Sequence, residues 1–132
     1  MTRAAEHRVI LVVDDDRDIR DSLMEVLASE GYSVAGAGNG LEALDYLRRS
    51  PGLPALILLD VMMPVMSGAQ FRTEQMKNAS WSAIPVVLLT AMKREEIVAT
   101  MGEAQQVGMD YLRKPIDLGV LLDVVARSWS ST

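Results

Sequence analysis

Asp60 closes the apolar run 55–59, and the triplet Asp14-Asp15-Asp16 closes another, 9–13. A carboxylate at the end of a buried strand sits where open α/β sheets bind ligands, just beyond the carboxyl ends of the strands. Two further polar residues follow expected strands in the same way, Thr90 after the apolar run 85–89 and Lys114 after the short strand 109–113. Three carboxylates in one crevice repel each other. At ~5 Å and an effective dielectric of about 20, each pair costs on the order of 3 kcal/mol. Such a cluster is stable when it holds a cation or when its pKa values rise. Oxygen donors without His or Cys favour Mg²⁺, or Mn²⁺ in its place, over zinc. Mg²⁺ takes one or two carboxylates plus phosphate oxygens. One aspartate then stays free to attack phosphorus and form an acyl phosphate. Phosphoryl transfer is mostly positioning and charge neutralisation. Lys114 offers a compact cation for the phosphoryl oxygens and Thr90 offers a hydroxyl.

Each of these residues alone reads equally well as a turn or cap residue, and Asp16 or Asp18 suits a helix N-cap. Their common place at the carboxyl ends of four separate strands sets them apart, so the elements that carry them matter. Residues 9–13 show no alternation, as in a strand covered on both faces of a parallel sheet. Ile19, Leu23, Val26 and Leu27 recur at helical spacing, with Gly31 as a stop. A short strand follows at 32–37. Asn39 caps a helix with Leu41, Leu44 and Leu47 on one side, ended by Pro51-Gly52-Leu53-Pro54. After the strand at 55–59, Ser67-Gly68 opens a helix to about Lys77. Its apolar face is poor, because Gln75 falls four residues after Phe71. Residues 78–84 read as a loop carrying Trp81. The strand 85–89 ends at Thr90, and 94–107 reads as a helix with Ile97, Met101 and Ala104 on one side. Gly108 stops it, and 109–113 is a short strand. Asp117 caps a last helix with Leu118, Leu121, Leu122 and Val125 inward.

Five strands alternating with five helices imply a parallel sheet with helices on both faces and right-handed crossovers. A doubly wound order 2-1-3-4-5 makes the first and third strands neighbours. Asp14, Asp15 and Asp60 then share one crevice, flanked by Thr90 and Lys114.

The 132 residues suit one domain, expected over 8–128 with tails at 1–7 and 129–132. A hydrophobic content of 49% excludes a disordered chain. A net charge of −5 argues against direct nucleic-acid binding and against an anionic membrane surface. There is no cysteine, no apolar run of the ~20 residues a bilayer requires, and no signal-like start. A cytoplasmic location is expected. His7 lies in the charged N-terminal tail and reads as solvated; Trp81 and Trp129 read as partly buried against the domain.

Four motifs carry a resemblance. They are Val12-Val13-Asp14-Asp15-Asp16, Leu59-Asp60 with Met63-Pro64 and Ser67-Gly68, Leu89-Thr90-Ala91, and Tyr111-Leu112-Arg113-Lys114-Pro115. Together they resemble the receiver domain of bacterial two-component response regulators, over about residues 8–128. The resemblance implies a flavodoxin-like five-stranded sheet of order 2-1-3-4-5 and phosphorelay signal transduction. It makes Asp60 the acceptor of a phosphoryl group from a sensor histidine kinase or a histidine phosphotransfer protein. Asp15 becomes the direct Mg²⁺ ligand, Asp14 acts mainly through water, and the Met62 backbone carbonyl completes the protein ligands with Asp60. Lys114 pairs with Asp60, and the Lys114-Pro115 bond is cis. Thr90 and Tyr111 become a coupled switch that reshapes a face within residues 92–128. The resemblance implies a signalling phospho-acceptor that catalyses only its own phosphoryl transfer and dephosphorylation. Output passes to a downstream protein target, or to a C-terminal output domain if the chain is a receiver cut from a longer one.

Some features depart from the family pattern. The segment from Thr90 to Lys114 is one or two residues longer than usual, and Ile116 stands where Phe is usual. Met62 and Met92 occupy positions two after Asp60 and two after Thr90, where large apolar side chains would exclude hydrolytic water. Two alternatives belong to other classes. Asp14-Asp15-Asp16-Arg17-Asp18 resembles the first half of the Asp-x-Asp-x-Thr pattern of haloacid-dehalogenase-type phosphatases, with Asp18 out of pattern and no room for a cap domain. A receiver fold can also serve as a docking module without phosphorylation.

Overall fold

The computed structural model describes residues 8–101 and 110–130. The elements are β1 (Val9–Val13), α1 (Arg17–Ser29), β2 (Ser33–Ala37), α2 (Gly40–Arg49), β3 (Leu56–Asp60), α3 (Gly68–Met76), α4 (Ala79–Ser82), β4 (Val86–Thr90), α5 (Arg94–Met101), β5 (Asp110–Arg113) and α6 (Leu118–Ser130). The readings of the 1–7 tail with His7, of Ala104 and Gly108, and of the Trp129 side chain lie outside what is described.

The sheet has the order β2-β1-β3-β4-β5, parallel throughout. This is the doubly wound order expected from the sequence. Alternate residues of each strand face opposite layers. Leu11, Val13, Ile57, Leu59 and Leu88 pack against α2, α3 and α5 through Leu44, Leu47, Phe71 and Ile97. Ile10, Val12, Leu56, Leu58 and Leu89 pack against α1 and α6 through Leu23, Leu27, Leu121 and Val125. Every residue of β3 and β4 is buried, because each strand has a neighbour on both edges and helices on both faces.

Several expectations need correction. Among the described residues there are six helices, not five. Residues 79–82 form a helical turn rather than loop, because Asn78 Oδ1 accepts the N–H groups of Ser80 and Trp81 at 2.9 and 3.1 Å. On α2 the inward stripe is Gly40, Ala43, Leu44 and Leu47, and Leu41 is 44% exposed. The 3.6-residue period places 40, 43, 44 and 47 on one side and leaves Leu41 outside it. On α6 the buried residues are Leu121, Val124 and Val125. Leu118 starts that helix at the rim of the sheet and lines an open cleft with Ile19, Leu23 and Ile116 instead.

Gln75 does face inward on α3, where an apolar residue is expected. It is fully buried and fully used. Its Nε2 donates to the Trp81 and Ile84 carbonyls at 2.9 and 3.2 Å, and its Oε1 accepts from Arg72 Nη1 at 2.9 Å. A buried amide costs little once its donors and acceptor are paired. This one pins α4 and the entry to β4 against α3.

Candidate functional site

Asp60 ends β3 and is only 5% exposed. Its Oδ1 accepts the Met62 N–H at 3.2 Å, and Lys114 Nζ donates to its Oδ2 at 3.1 Å. The loop that follows must return across the strand end. Gly68 permits this, because a Cβ there would collide with the Asp60 carbonyl oxygen and stand 2.9 Å from Val61 Cα. The Gly68 N–H then bonds the Val61 carbonyl at 2.9 Å, and the paired Ser67 and Gln70 side chains cap α3.

Asp14 follows β1 directly and is fully buried. Its N–H bonds the Ala37 carbonyl at 3.1 Å, and its Oδ1 accepts the Asp16 N–H at 2.9 Å. Lys114 Nζ lies 2.8 Å from Asp14 Oδ2. That approach is an ion pair without hydrogen-bond alignment, so the oxygen has no directed donor among the described residues. Asp16, rather than Asp18, caps α1, accepting the Asp18 and Ile19 N–H groups at 3.0 and 3.1 Å. Asp15 is exposed between them. Carboxylate oxygens of Asp14, Asp15 and Asp60 all lie within 4.8 Å of one another. Two buried carboxylates and one exposed carboxylate, with a buried oxygen lacking a directed donor, fit a hard divalent cation.

The electrostatics follow from this crowding. Burial first, and the Asp14 charge second, push the Asp60 carboxyl up from 3.8 to about 6, against the opposing effects of Lys114 and the Met62 N–H. Burial alone would lower the Lys114 ammonium. Its close contact with Asp14 and the charges of Asp60 and Asp14 outweigh that and hold it above the ordinary lysine value.

Thr90 ends β4 and is buried, with Oγ1 accepting the Met92 N–H at 2.9 Å. Its carbonyl accepts the Lys114 N–H at 2.8 Å, which fixes the start of the β5–α6 connection over the site. The Lys114-Pro115 bond is cis. Tyr111 on β5 is 38% exposed. It pairs with Leu88, and Arg113 pairs with Thr90, so Tyr111 and Thr90 stand on the same face of the sheet. Met62 is 58% exposed at the mouth of the site, and Met92 is half-buried.

The sequence did not point to one participant. Arg20 Nη1 donates to the Asp14 main-chain carbonyl at 2.7 Å. Its only sequence signal is a basic residue one turn after the Asp16 cap, flanked by the apolar positions of α1.

The family model for the response regulator receiver domain matches residues 10–126. The response regulator MprA of Mycobacterium sp. (strain KMS) is 39% identical over 113 residues, covering 86% of this chain and 46% of MprA. The chain thus spans about half the length of the curated relatives it matches. The chemotaxis response regulator CheY4 of Vibrio cholerae superposes with a TM-score of 0.80 at 30% identity, covering 92% of this chain and 98% of that one. The response regulator protein TrrA of Thermotoga maritima, solved in complex with Mg²⁺ and BeF, gives a TM-score of 0.76 at 31% identity, with coverage of 92% and 98%.

Proposed function

The chain belongs to the response regulator receiver domain family, and from that membership we propose that Asp60 is the residue that takes a phosphoryl group from a sensor histidine kinase or a histidine phosphotransfer protein. The observation that carries this is a buried carboxylate at the end of β3 that shares Lys114 with Asp14 and lies within 4.8 Å of the Asp14 and Asp15 carboxylates. A carboxylate oxygen of Asp60 forms the new O–P bond as the N–P bond of the donor phosphohistidine breaks, and the bonding electron pair leaves with the imidazole nitrogen. Lys114 leads the phosphoryl oxygens with its ammonium, which stays charged at neutral pH because its pKa is raised. Asp14, Asp15, Asp60 and the Met62 carbonyl are the groups that would hold Mg²⁺, or Mn²⁺. The bound cation supplies neutralisation of the phosphoryl charge.

Thr90 supplies the response. Its hydroxyl oxygen accepts from Met92 and its proton is available to a phosphoryl oxygen once the side chain swings toward β3. Tyr111, exposed on the same face, turns into the space this opens. The face around α5, β5 and α6 then differs between the two states, and a few kcal/mol of differential contact suffices to shift the population. That face engages a downstream protein or an attached output domain. The only reactions assigned to the chain are its own phosphoryl transfer and dephosphorylation. Among the described residues no helix is long and apolar enough to cross a membrane. A cytoplasmic setting follows from the proposed kinase partner. Membership of the receiver family sets aside the haloacid-dehalogenase reading of Asp14.

The test is incubation with acetyl phosphate and Mg²⁺, read by intact-protein mass. One phosphoryl group should appear on the wild type and none on Asp60→Asn. Absence of any adduct on the wild type would leave a docking module without phosphorylation.

A further inference from the structure

Three of the polar groups of Asp14 are tied within the loop, and only Oδ2 lacks a directed donor among the described residues. Its N–H, Oδ1 and Oδ2 face Ala37, Asp16 and Lys114. Its carbonyl is held by Arg20, at 2.7 Å. That carbonyl and the Asp15 N–H belong to one planar peptide unit. Fixing the carbonyl therefore fixes one of the two peptide planes that flank Asp15, and the Asp16 N–H bond to Asp14 Oδ1 fixes the other, so the backbone from which the exposed Asp15 side chain leaves is held on both sides.

Arg20 reaches this position across the turn between β2 and α2, and that turn is cut to fit it. A Cβ at Gly36 would stand 3.2 Å from Arg20 Cδ and 2.9 Å from Met24 Sδ. A Cβ at Gly38 would stand 3.6 Å from Arg20 Nη1 and 3.3 Å from Glu42 Oε1. Glu42 in turn accepts the Gly38 N–H at 2.8 Å. The guanidinium therefore lies in a slot floored by two glycines, with a carboxylate on its far side.

We propose that Arg20 is a positioning residue for the cation site, setting the Asp14–Asp15 peptide so that Asp15 is preorganised for Mg²⁺ rather than for a larger ion. This rests on the reading of Asp14, Asp15 and Asp60 as the cation site. Mg²⁺ demands near-ideal octahedral geometry with short bonds, whereas Ca²⁺ accepts variable ligand numbers and longer distances. Loosening one ligand therefore costs Mg²⁺ more than Ca²⁺. Groups that orient metal ligands typically change metal affinity by about 10- to 100-fold when removed.

Calorimetric titration of the metal-free protein with MgCl₂ and with CaCl₂ tests this. The variants are Arg20→Met, which keeps the stem, and Arg20→Gln, which keeps a donor too short to reach the carbonyl. Both should bind Mg²⁺ about tenfold more weakly, with Ca²⁺ affinity falling less than about threefold. Arg20→Lys keeps the stem and the charge, and should fall between the wild type and Arg20→Met. If the first two variants fail to fold, Arg20→Lys is read by the same Mg²⁺-over-Ca²⁺ criterion. A folded variant with wild-type Mg²⁺ affinity would overturn the proposal. So would equal losses for the two ions, which general loosening of the fold produces. A wild type that binds no Mg²⁺ would instead overturn the reading of the cation site itself.

Discussion

Replacing Asp60 with Asn should stabilise the metal-free protein, and by an amount that grows with pH. The folded state raises the Asp60 carboxyl from 3.8 to about 6, through burial first and the Asp14 charge second. A group whose folded pKa is raised binds its proton more tightly in the folded state, so stability falls as pH rises between the two values. Below pH 3.8 ionised Asp60 costs the fold nothing. Above pH 6 the cost is fully developed, and at ~1.4 kcal/mol per pH unit the rise from 3.8 to about 6 corresponds to about 3 kcal/mol. The same two values leave about 1.5 kcal/mol of that cost at pH 5. Asn keeps the shape and can still accept the Met62 N–H. The attraction of Lys114 is already contained in the value of about 6 and needs no separate correction. Urea denaturation of wild type and Asp60→Asn in EDTA, at pH 5 and pH 7.5, should show the variant's advantage growing by about 1.5 kcal/mol. A difference that stays constant or shrinks with pH would refute the claim that the Asp60 charge is the strained element of the site.

Three other outcomes follow from the same geometry. Lys114→Ala leaves Asp14 Oδ2 and Asp60 Oδ2 without their cation, and should destabilise the metal-free fold by about 3 kcal/mol. Thermal melting should then show a larger upward shift on adding Mg²⁺ for this variant than for the wild type. Met62→Asn combined with Met92→Glu puts polar side chains at the mouth of the site and should shorten the life of the phosphorylated protein. Decay followed by mass spectrometry checks this, and equal lifetimes would show that the methionines exclude no hydrolytic water. Gly68→Ala forces a Cβ into the Asp60 carbonyl, and should cost about 2 kcal/mol or more in chemical denaturation together with slower phosphorylation by acetyl phosphate.

The strand ends were legible because each carries its message in consecutive residues. An apolar run followed by Asp or Thr marks both a buried strand and the position just past it, while the mostly exposed β5 is marked by the Lys114-Pro115 step that ends it. The sheet order was not legible from periodicity and came from resemblance, yet it alone turns three separated aspartates into a cluster within 4.8 Å. Helix faces were read less well. Leu41 reads as inward on hydrophobicity, but Asn39 sets where α2 begins and Gly40 and Ala43 fill the inward side. Gln75 was counted against α3, because a polar residue at a core position looks like a fault until its partners are known. Those partners are the Trp81 and Ile84 carbonyls, six and nine residues further along, and no local pattern announces them. Arg20 escaped for the same reason. Its role lies in a main-chain carbonyl and in glycines of another strand, not in its neighbours.

The energetics of the site also explain why a small domain can serve as a switch. Without a ligand, Asp60 pays about 3 kcal/mol for its charge above pH 6. Two changes relieve that strain from opposite directions, a cation among the carboxylates or conversion of Asp60 to an acyl phosphate that ties up the crowded oxygen. The second adds charge and acceptor oxygens at the surface of the crevice, where Lys114 and Thr90 are the donors within the site. Lys114 already faces Asp60, so it transmits little by adjusting. Thr90 Oγ1 now accepts the Met92 N–H, and in the proposed switch its own proton would turn to a phosphoryl oxygen. In the proposed switch this turn would move the first residues after β4, which lead into α5, and alter the face on which Tyr111 stands. The residue that changes partner is therefore the one whose movement has the longest reach, and the cost stored at Asp60 is of the size needed to move it.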